Sequence, residues 1–337
     1  NLVANSSMCT AWLYKAKPGE ESVLGVVPFF HVYGMTIVMM LSVMQAYKMI
    51  ILPKFDPLTT LKTIQKERPT LFPGAPTIYI GLLNHPDLKI YVLFSIDACP
   101  SGSAPRPVEV QEEFEAITGG KLVEGYGLTE SSPVTHANFL WDRERIKGSI
   151  GVPWPNTEVR IVSMDDGEDM PVGEIGEIII KGPQIMKGYW NRLEATEETI
   201  KDGWLYTGDL GYMDDKGYFY VVDRKKDMII AGGYNIYPRE IEEVLYEHPD
   251  VLEAVAAGIP DPYRGETVKA YVVLKEGSQI TSDDLNQYAR KYLAAYKAPR
   301  LYEFREELPK TAVGKILRRT LVEEEIRKIE EENKKHA

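Results

Sequence analysis

The chain reads as an α/β protein in two parts: a large N-terminal region of αβ sheet layers plus a small β-barrel-like subdomain, then a smaller α+β module. Three observations lead there. From residue 1 to about 160, apolar strand-like runs alternate with amphipathic helices, the pattern of a mainly parallel sheet flanked by helices. From about 150 to 225 the hydrophobic period becomes two and turns become frequent, which reads as a barrel-like β subdomain. After Asp223-Arg224-Lys225-Lys226-Asp227 the pattern changes once more, into a mixture of helices and strands. The expected domains are therefore 1–225, with the β-rich subdomain at about 150–225, and 226–337. The length of 337 residues agrees with roughly two domains of about 150 residues each.

Taken along the chain, Ser22–Pro28 reads as a strand, about 33–46 as a buried helix and about 49–53 as a buried strand. The apolar run Met35–Leu52 contains Gln45 and Lys48 and falls short of the about 20 mostly apolar residues that a membrane span requires. Pro57–Lys66 and Pro107–Thr118 read as helices, the latter with Val108, Phe114 and Ile117 on its apolar face, and Lys121–Val123 as a strand. Thr157–Val162 and Gly176–Lys181 alternate as half-buried strands, and Gly217–Val222 follows the turn Asp214–Gly217. Pro238–His248 is an expected helix with proline in its first turn and Ile241, Val244 and Leu245 facing inward. Val251–Pro260 and Thr267–Leu274 read as strands, and Ser282–Leu293 as a helix whose Ser-Asp-Asp start suits an N-cap and the helix dipole. Leu317–Lys335 is a charged, solvated helix.

A net charge of −11 argues against nucleic acid as a partner, because phosphate backbones need a basic surface. A mononucleotide, held by a few local groups, stays open. The two cysteines, Cys9 and Cys99, form no CxxC pair and read as buried reduced thiols of a cytoplasmic protein. No signal peptide or membrane anchor is expected from these residues, although peripheral membrane contact is allowed.

Several short motifs carry chemistry. Glu124-Gly125-Tyr126-Gly127-Leu128-Thr129-Glu130 offers close backbone approach, a stacking ring, a hydroxyl and a carboxylate within a few residues. Pro309-Lys310-Thr311-Ala312-Val313-Gly314-Lys315 places a lysine on a glycine-flexed loop, a point charge deliverable to an anion. Pro28-Phe29-Phe30-His31-Val32-Tyr33-Gly34 puts one histidine among apolar residues; alone it reads equally as a core histidine. Ser101-Gly102-Ser103-Ala104-Pro105 is a small-residue turn and, alone, a plain loop. Trp204-Leu205-Tyr206-Thr207-Gly208-Asp209-Leu210-Gly211 presents a carboxylate suited to paired hydroxyls. Gly232-Gly233-Tyr234-Asn235-Ile236 is a glycine pair ahead of a helix, read alternatively as a plain turn.

In this order, from Val26 to Arg319, the motifs resemble the adenylate-forming (AMP-binding) family, and within it the bacterial and archaeal fatty-acyl-CoA synthetases. The resemblance implies a mobile C-terminal domain and a role for each motif. His31 would lie near the carboxylate end of the acyl substrate. Gly102, Ser103 and Ala104 would rest against adenine, as would Gly125, Tyr126 and Gly127, with the tyrosine stacked on the base. Thr129 would contact phosphate and Glu130 would be the Mg²⁺ ligand. Asp209 and Arg224 would hold the ribose. Lys226 would be the hinge, Gly232 and Gly233 would line the pantetheine path, and Lys315 would be the adenylation lysine.

The implied reaction is ATP-dependent activation of a medium- or long-chain fatty acid to acyl-AMP, then thioester formation with coenzyme A. Two neighbouring activities share the motifs: an aryl- or coumarate-type CoA ligase, and an enzyme that loads a carrier protein. The family's Ser/Thr/Gly-rich phosphate loop, ending Pro-Lys-Gly, has no counterpart here, and the chain opens Asn1-Leu2-Val3 without methionine. The expectation is that the loop lies upstream of Asn1 and that the large domain is incomplete. Exposed apolar surface and a homo-oligomer would follow. A non-catalytic nucleotide-binding piece is the alternative from outside the enzymes.

Overall fold

The computed structural model describes residues 1–102, 108–311 and 316–336. Two compact units make up the chain: Asn1–Thr207 with Gly211–Val221, and Gly208–Leu210 with Val222–Ala337.

The first unit opens with helix α1 (Leu2–Trp12), followed by β1 (Ser22–Gly25), a π-helical stretch Gly34–Met40 running into α2 (Leu41–Gln45), and β2 (Lys48–Ile51). Then come α3 (Pro57–Glu67), α4 (Pro76–Leu83), β3 (Ala98–Ser101), α5 (Val108–Thr118), β4 (Lys121–Gly127), β5 (Val134–Ala137) and β6 (Val152–Pro153). β2 pairs with β1 in parallel, and β1 is joined to β3 through parallel bridges at Leu71. A further parallel bridge links Gly74 to Ser101, and β3 runs parallel to β4. Beyond β4 the pairing turns antiparallel through β5 to β6. Strands fully covered on both sides lose the apolar/polar alternation of a half-exposed sheet. Val23 and Leu24, and Leu122 and Val123, are accordingly consecutive buried residues. Phe72, Tyr79 and Phe114 fill the space between this sheet and α4 and α5, with ring centroids 5.0–6.4 Å apart.

The stretch expected to be one buried helix is not uniform. Its π-helical half is mostly buried, whereas Val43 and Met44 in α2 are exposed, as are Met49 and Ile51 in the strand after it. The strand expected over Ser22–Pro28 stops at Gly25.

The β-rich region contains β7 (Glu158–Val162), β8 (Gly176–Lys181), α6 (Leu193–Thr199), β9 (Ile200–Lys201), β10 (Trp204–Met213) and β11 (Phe219–Arg224). They form a five-stranded sheet of order β11-β10-β8-β7, with β9 added to β10. Its inward residues, Ile161, Ile178, Ile180, Leu205 and Phe219, make a core of their own.

The second unit contains β12 (Ile229–Ala231), β13 (Tyr234–Ile236), α7 (Pro238–Tyr246), β14 (Val251–Asp261), β15 (Gly265–Leu274), α8 (Ser282–Tyr292), β16 (Leu301–Phe304) and α9 (Arg318–His336). Strand order is β13-β12-β15-β14, with β16 parallel to β15. Alternation along β14 and β15 divides the interior. Ala254, Ala256, Val268, Ala270 and Val272 join the α7 and α8 side, while Val255, Ala257, Tyr271 and Val273 join Leu321 of α9. The cap of α8 is Thr281, one residue before the serine expected to start it: Thr281 Oγ1 accepts from Asp284 N and the Asp284 carboxylate accepts from Thr281 N.

Candidate active site

Parallel strands place the loops that follow them at one end of the sheet, and crevices at that end are where open α/β sheets bind ligands. Most of the motif residues of the first unit follow such strand ends. After β1, the chain turns through Pro28–Gly34. His31 N donates to Pro28 O (3.1 Å), and the ring of His31 accepts at Nδ1 from Tyr33 N (3.2 Å). That leaves Nε2 as the nitrogen for the proton in the neutral ring. Gly34 is obligatory, since a Cβ there would lie 2.4 Å from Pro28 O. Tyr33 donates its hydroxyl to Pro100 O (2.7 Å), and its ring lies 3.7 Å from where a Cβ on Gly102 would be. The histidine turn and the small-residue turn after β3 are thus packed together. Gly102 N in turn donates to Gly74 O (3.2 Å). Ser103 and Ala104 lie outside the described residues.

Glu124 on β4 sits beside Ser101 on β3, so Gly125, Tyr126 and Gly127 continue from the same sheet edge. The two glycines are not equivalent. A Cβ on Gly125 would reach only ordinary contact, 3.5 Å from His136 O, whereas one on Gly127 would lie 1.9 Å from Pro133 O. Gly127 is required by its own chain's return into β5. Tyr126 faces His136 across the strand pair, ring centroids 5.8 Å apart, and packs against the isoleucine-rich core of the β-rich region. Burial holds the His136 imidazole neutral, lowering its pKa to about 3.

Thr129–Ser131 forms one 3₁₀ turn, in which Ser131 Oγ accepts from Leu128 N (2.9 Å) and Ser132 N donates to Thr129 O. Thr36 of the π-helical stretch donates to Ser132 O (3.1 Å), which ties the histidine segment to this turn. Thr129 is exposed. Glu130 accepts at its backbone O from Met186 N (2.8 Å) and at Oε1 from the Tyr189 hydroxyl (2.7 Å). His31, Gly102, Gly125, Tyr126, Gly127, Thr129 and Glu130 are therefore held by one sheet edge and its connecting hydrogen bonds.

In the second unit, the Asp209 carboxylate is 7% exposed and pairs with Arg224, Nε to Oδ1 3.3 Å. The two residues assigned to the ribose thus hold one another. Asp223 accepts from the backbone N–H groups of Arg224 and Arg239 (2.7 and 2.8 Å), a structural task. Lys226 is exposed in the turn between β11 and β12. Gly232 and Gly233 form the tip of the β12–β13 hairpin, with φ of +59° and +83° and nothing within 4 Å of either added Cβ. Left-handed backbone at both positions explains why glycine is used twice. Lys315 lies outside the described residues; the flanking Lys310 and Ile316 form an antiparallel bridge, and Leu317 N donates to Pro309 O.

Two contributors escaped the sequence reading. Tyr189 carries no motif of its own. Arg318 pairs with Asp227 (2.6 Å) and Glu242 (2.7 Å) at the start of α9. A cation in a first helical turn opposes the dipole, and Arg318-Arg319 was in that sense a legible sign of buried acidic partners.

Among the described residues no group of three or more His, Cys, Asp or Glu could hold a metal on its own. Mg²⁺ is ordinarily held by one or two carboxylates together with substrate phosphates. A single accessible glutamate beside Thr129, the residue expected to contact phosphate, fits that arrangement.

The chain is similar to several known proteins. Residues 1–190 match the family described as AMP-binding enzyme, and residues 240–315 match the AMP-binding enzyme C-terminal domain. A long-chain-fatty-acid–CoA ligase of Bacillus subtilis is 64% identical over 325 residues, 96% of this chain and 58% of the relative. One from Escherichia coli O6:H1 is 42% identical over 308 residues, 91% of this chain and 54% of the relative. The chain therefore spans between half and two thirds of the length of these relatives. Among solved structures, ATP-bound MatB from Rhodopseudomonas palustris superposes with a TM-score of 0.89 at 32% identity, covering 96% of this chain and 63% of that one.

Proposed function

The chain belongs to the AMP-binding enzyme family, and from that premise we propose that the protein is a fatty-acid–CoA ligase acting on medium- or long-chain acids. The observation that carries the proposal is the convergence, on one edge of the parallel sheet, of the His31 turn, Gly102, Tyr126, Thr129 and Glu130. The 64% identity to a protein named for this activity supports the choice of substrate class.

The reaction has two half-reactions. A carboxylate oxygen attacks the α-phosphorus of ATP, the bond to the β-phosphate oxygen breaks, and pyrophosphate leaves from acyl-AMP. The CoA sulfur then attacks the acyl carbon, losing its proton, and AMP departs with the bonding pair. Positioning and charge neutralisation dominate the first step. In this reading Tyr126 supplies a face for adenine while Gly102 and Gly125 allow close backbone approach. Asp209 accepts from the ribose hydroxyls and Arg224 holds that carboxylate in place. Thr129 donates to phosphate from an exposed position, and His31 lies near the carboxylate end of the acid. Glu130 would hold Mg²⁺, which when bound with the triphosphate supplies positive charge beside it. Lys315 adds an ammonium during adenylation. Lys226 is the proposed hinge, and Gly232 and Gly233 the proposed surface past which pantetheine runs. We also propose a cytoplasmic location, in keeping with the two buried thiols, and self-association through exposed apolar side chains such as Val43 and Ile51.

Assaying the half-reactions separately tests the scheme. Lys315→Ala should abolish most acyl-AMP formation yet leave thioester formation from supplied acyl-AMP near the wild-type rate. Equal loss in both would contradict it.

A further inference from the structure

Glu130 is gripped from outside its own motif. The segment Gln184–Thr196 is tied to the sheet edge through Met186, to the β-rich region through Gln184 and Ile185, and to itself by an internal hydrogen bond. Gln184 donates its amide to Thr157 Oγ1 (2.8 Å), Ile185 is buried in the β-rich core, and Met186 N donates to Glu130 O (2.8 Å). Tyr189 N donates to Thr196 Oγ1 (2.9 Å), and Gly188 packs so closely there that a Cβ would lie 2.6 Å from Thr196 Cγ2. This fixed loop delivers one side chain to the glutamate: the Tyr189 hydroxyl donates to Oε1 at 2.7 Å. Among the described residues Oε2 has no protein partner.

We propose that Tyr189 is a positioning residue for Glu130: its phenol fixes the carboxylate through Oε1 and leaves Oε2 as the oxygen offered to a divalent cation arriving with the nucleotide. The inference rests on the adenylate-site reading above. An ionised carboxylate has only acceptors, so the phenol must donate. The loop does not need this hydrogen bond to hold its course, because Met186 N anchors it to Glu130 and Tyr189 N closes it internally on Thr196, and a phenylalanine variant keeps both bonds. What the hydroxyl adds is a fixed carboxylate orientation. Partners of this kind, one bond removed from a metal, are typically worth about 10–100-fold in metal affinity.

The test uses the chain with Tyr189→Phe, and with Glu130→Gln as reference. AMP binding is titrated without metal. Mn²⁺ is then titrated into each protein preloaded with a non-hydrolysable ATP analogue, the bound ion being read by electron paramagnetic resonance. The expected result is unchanged AMP affinity and unchanged melting for Tyr189→Phe, with Mn²⁺ bound about tenfold more weakly, and weaker still for Glu130→Gln. Equal Mn²⁺ affinity in wild type and Tyr189→Phe would overturn the inference while leaving the nucleotide site standing. A parallel fall in AMP affinity, Mn²⁺ affinity and melting would reduce Tyr189 to a structural residue and overturn it as well. Failure of the wild type to bind AMP would remove the underlying reading and the inference with it.

Discussion

Tyr126, the proposed partner of adenine, is held in place by its own surroundings. Its ring is partly covered by His136 and the isoleucine core, so its rotamer is set before any ligand arrives. Such preorganisation lowers the entropy lost on binding. Base–aromatic stacking is worth about 1–3 kcal/mol per base. Tyr126→Ala should therefore weaken AMP binding by that amount, and Tyr126→Phe should be nearly neutral, both measured by titration calorimetry. A Tyr126→Phe variant as weak as Tyr126→Ala would shift the role from the ring to its hydroxyl. The glycine after it teaches a different point. Two glycines flanking a tyrosine read alike in sequence, yet in the fold Gly127 is fixed by the Pro133 carbonyl while Gly125 has room. A spacing pattern identifies which residues gather; it does not tell which neighbour excludes the side chain.

Most element bounds were legible from turn and proline signals, although Gly176–Lys181, expected to alternate, is buried from Gly176 through Ile180 because its sheet is covered on both faces there. β8 occupies the expected Gly176–Lys181, α3 and α5 end or begin within a residue of expectation, and the helices and long strands of the second unit differ by a few residues at most. Elements that break periodicity were not legible. Helix α1 buries the polar Asn5, whose amide exchanges hydrogen bonds with Val134 O and N (2.7 and 3.2 Å), so its core face does not look apolar. In α4, Pro76–Leu83, apolar residues run around most of the helix, and β3 is a short strand containing a proline. The charged α9, read as solvated, is in part tied to the sheet. Lys269 of β15, 9% exposed, pairs with both Glu303 of β16 and Glu325 of α9 at 2.7 Å, and Lys328 reaches Glu303 at 3.2 Å. Burial opposes ionisation of Glu303, but hydrogen bonds from Lys269, Lys328 and Arg305 outweigh it and bring its pKa from 4.5 to about 2. A depressed carboxylate contributes stability that is complete above its unfolded pKa and is lost as pH falls through the folded one. Glu303→Gln should therefore lower the urea midpoint at pH 7, with the gap from wild type narrowing as pH falls from 4.5 toward 2. A gap that stays constant over that window would show that packing, not charge, is what the glutamate contributes.

For the molecule as a whole, family membership and the order of motifs were readable because each motif combines glycine-dependent backbone with a specific polar group. Contacts from distant loops, such as Tyr189 on Glu130, were not, since nothing in the local pattern around Tyr189 announces its partner. Acyl-adenylate affinity is the property that joins the residue assignments to a single ligand. The decisive measurement is isothermal titration of the chain with a non-hydrolysable acyl-AMP analogue, alongside Asp209→Ala, with the melting of both recorded. The account predicts binding on the order of micromolar, about −8 kcal/mol, that is lost in Asp209→Ala while the fold is kept. Absence of binding by a wild-type chain that melts cooperatively, or affinity unchanged by Asp209→Ala, would contradict it.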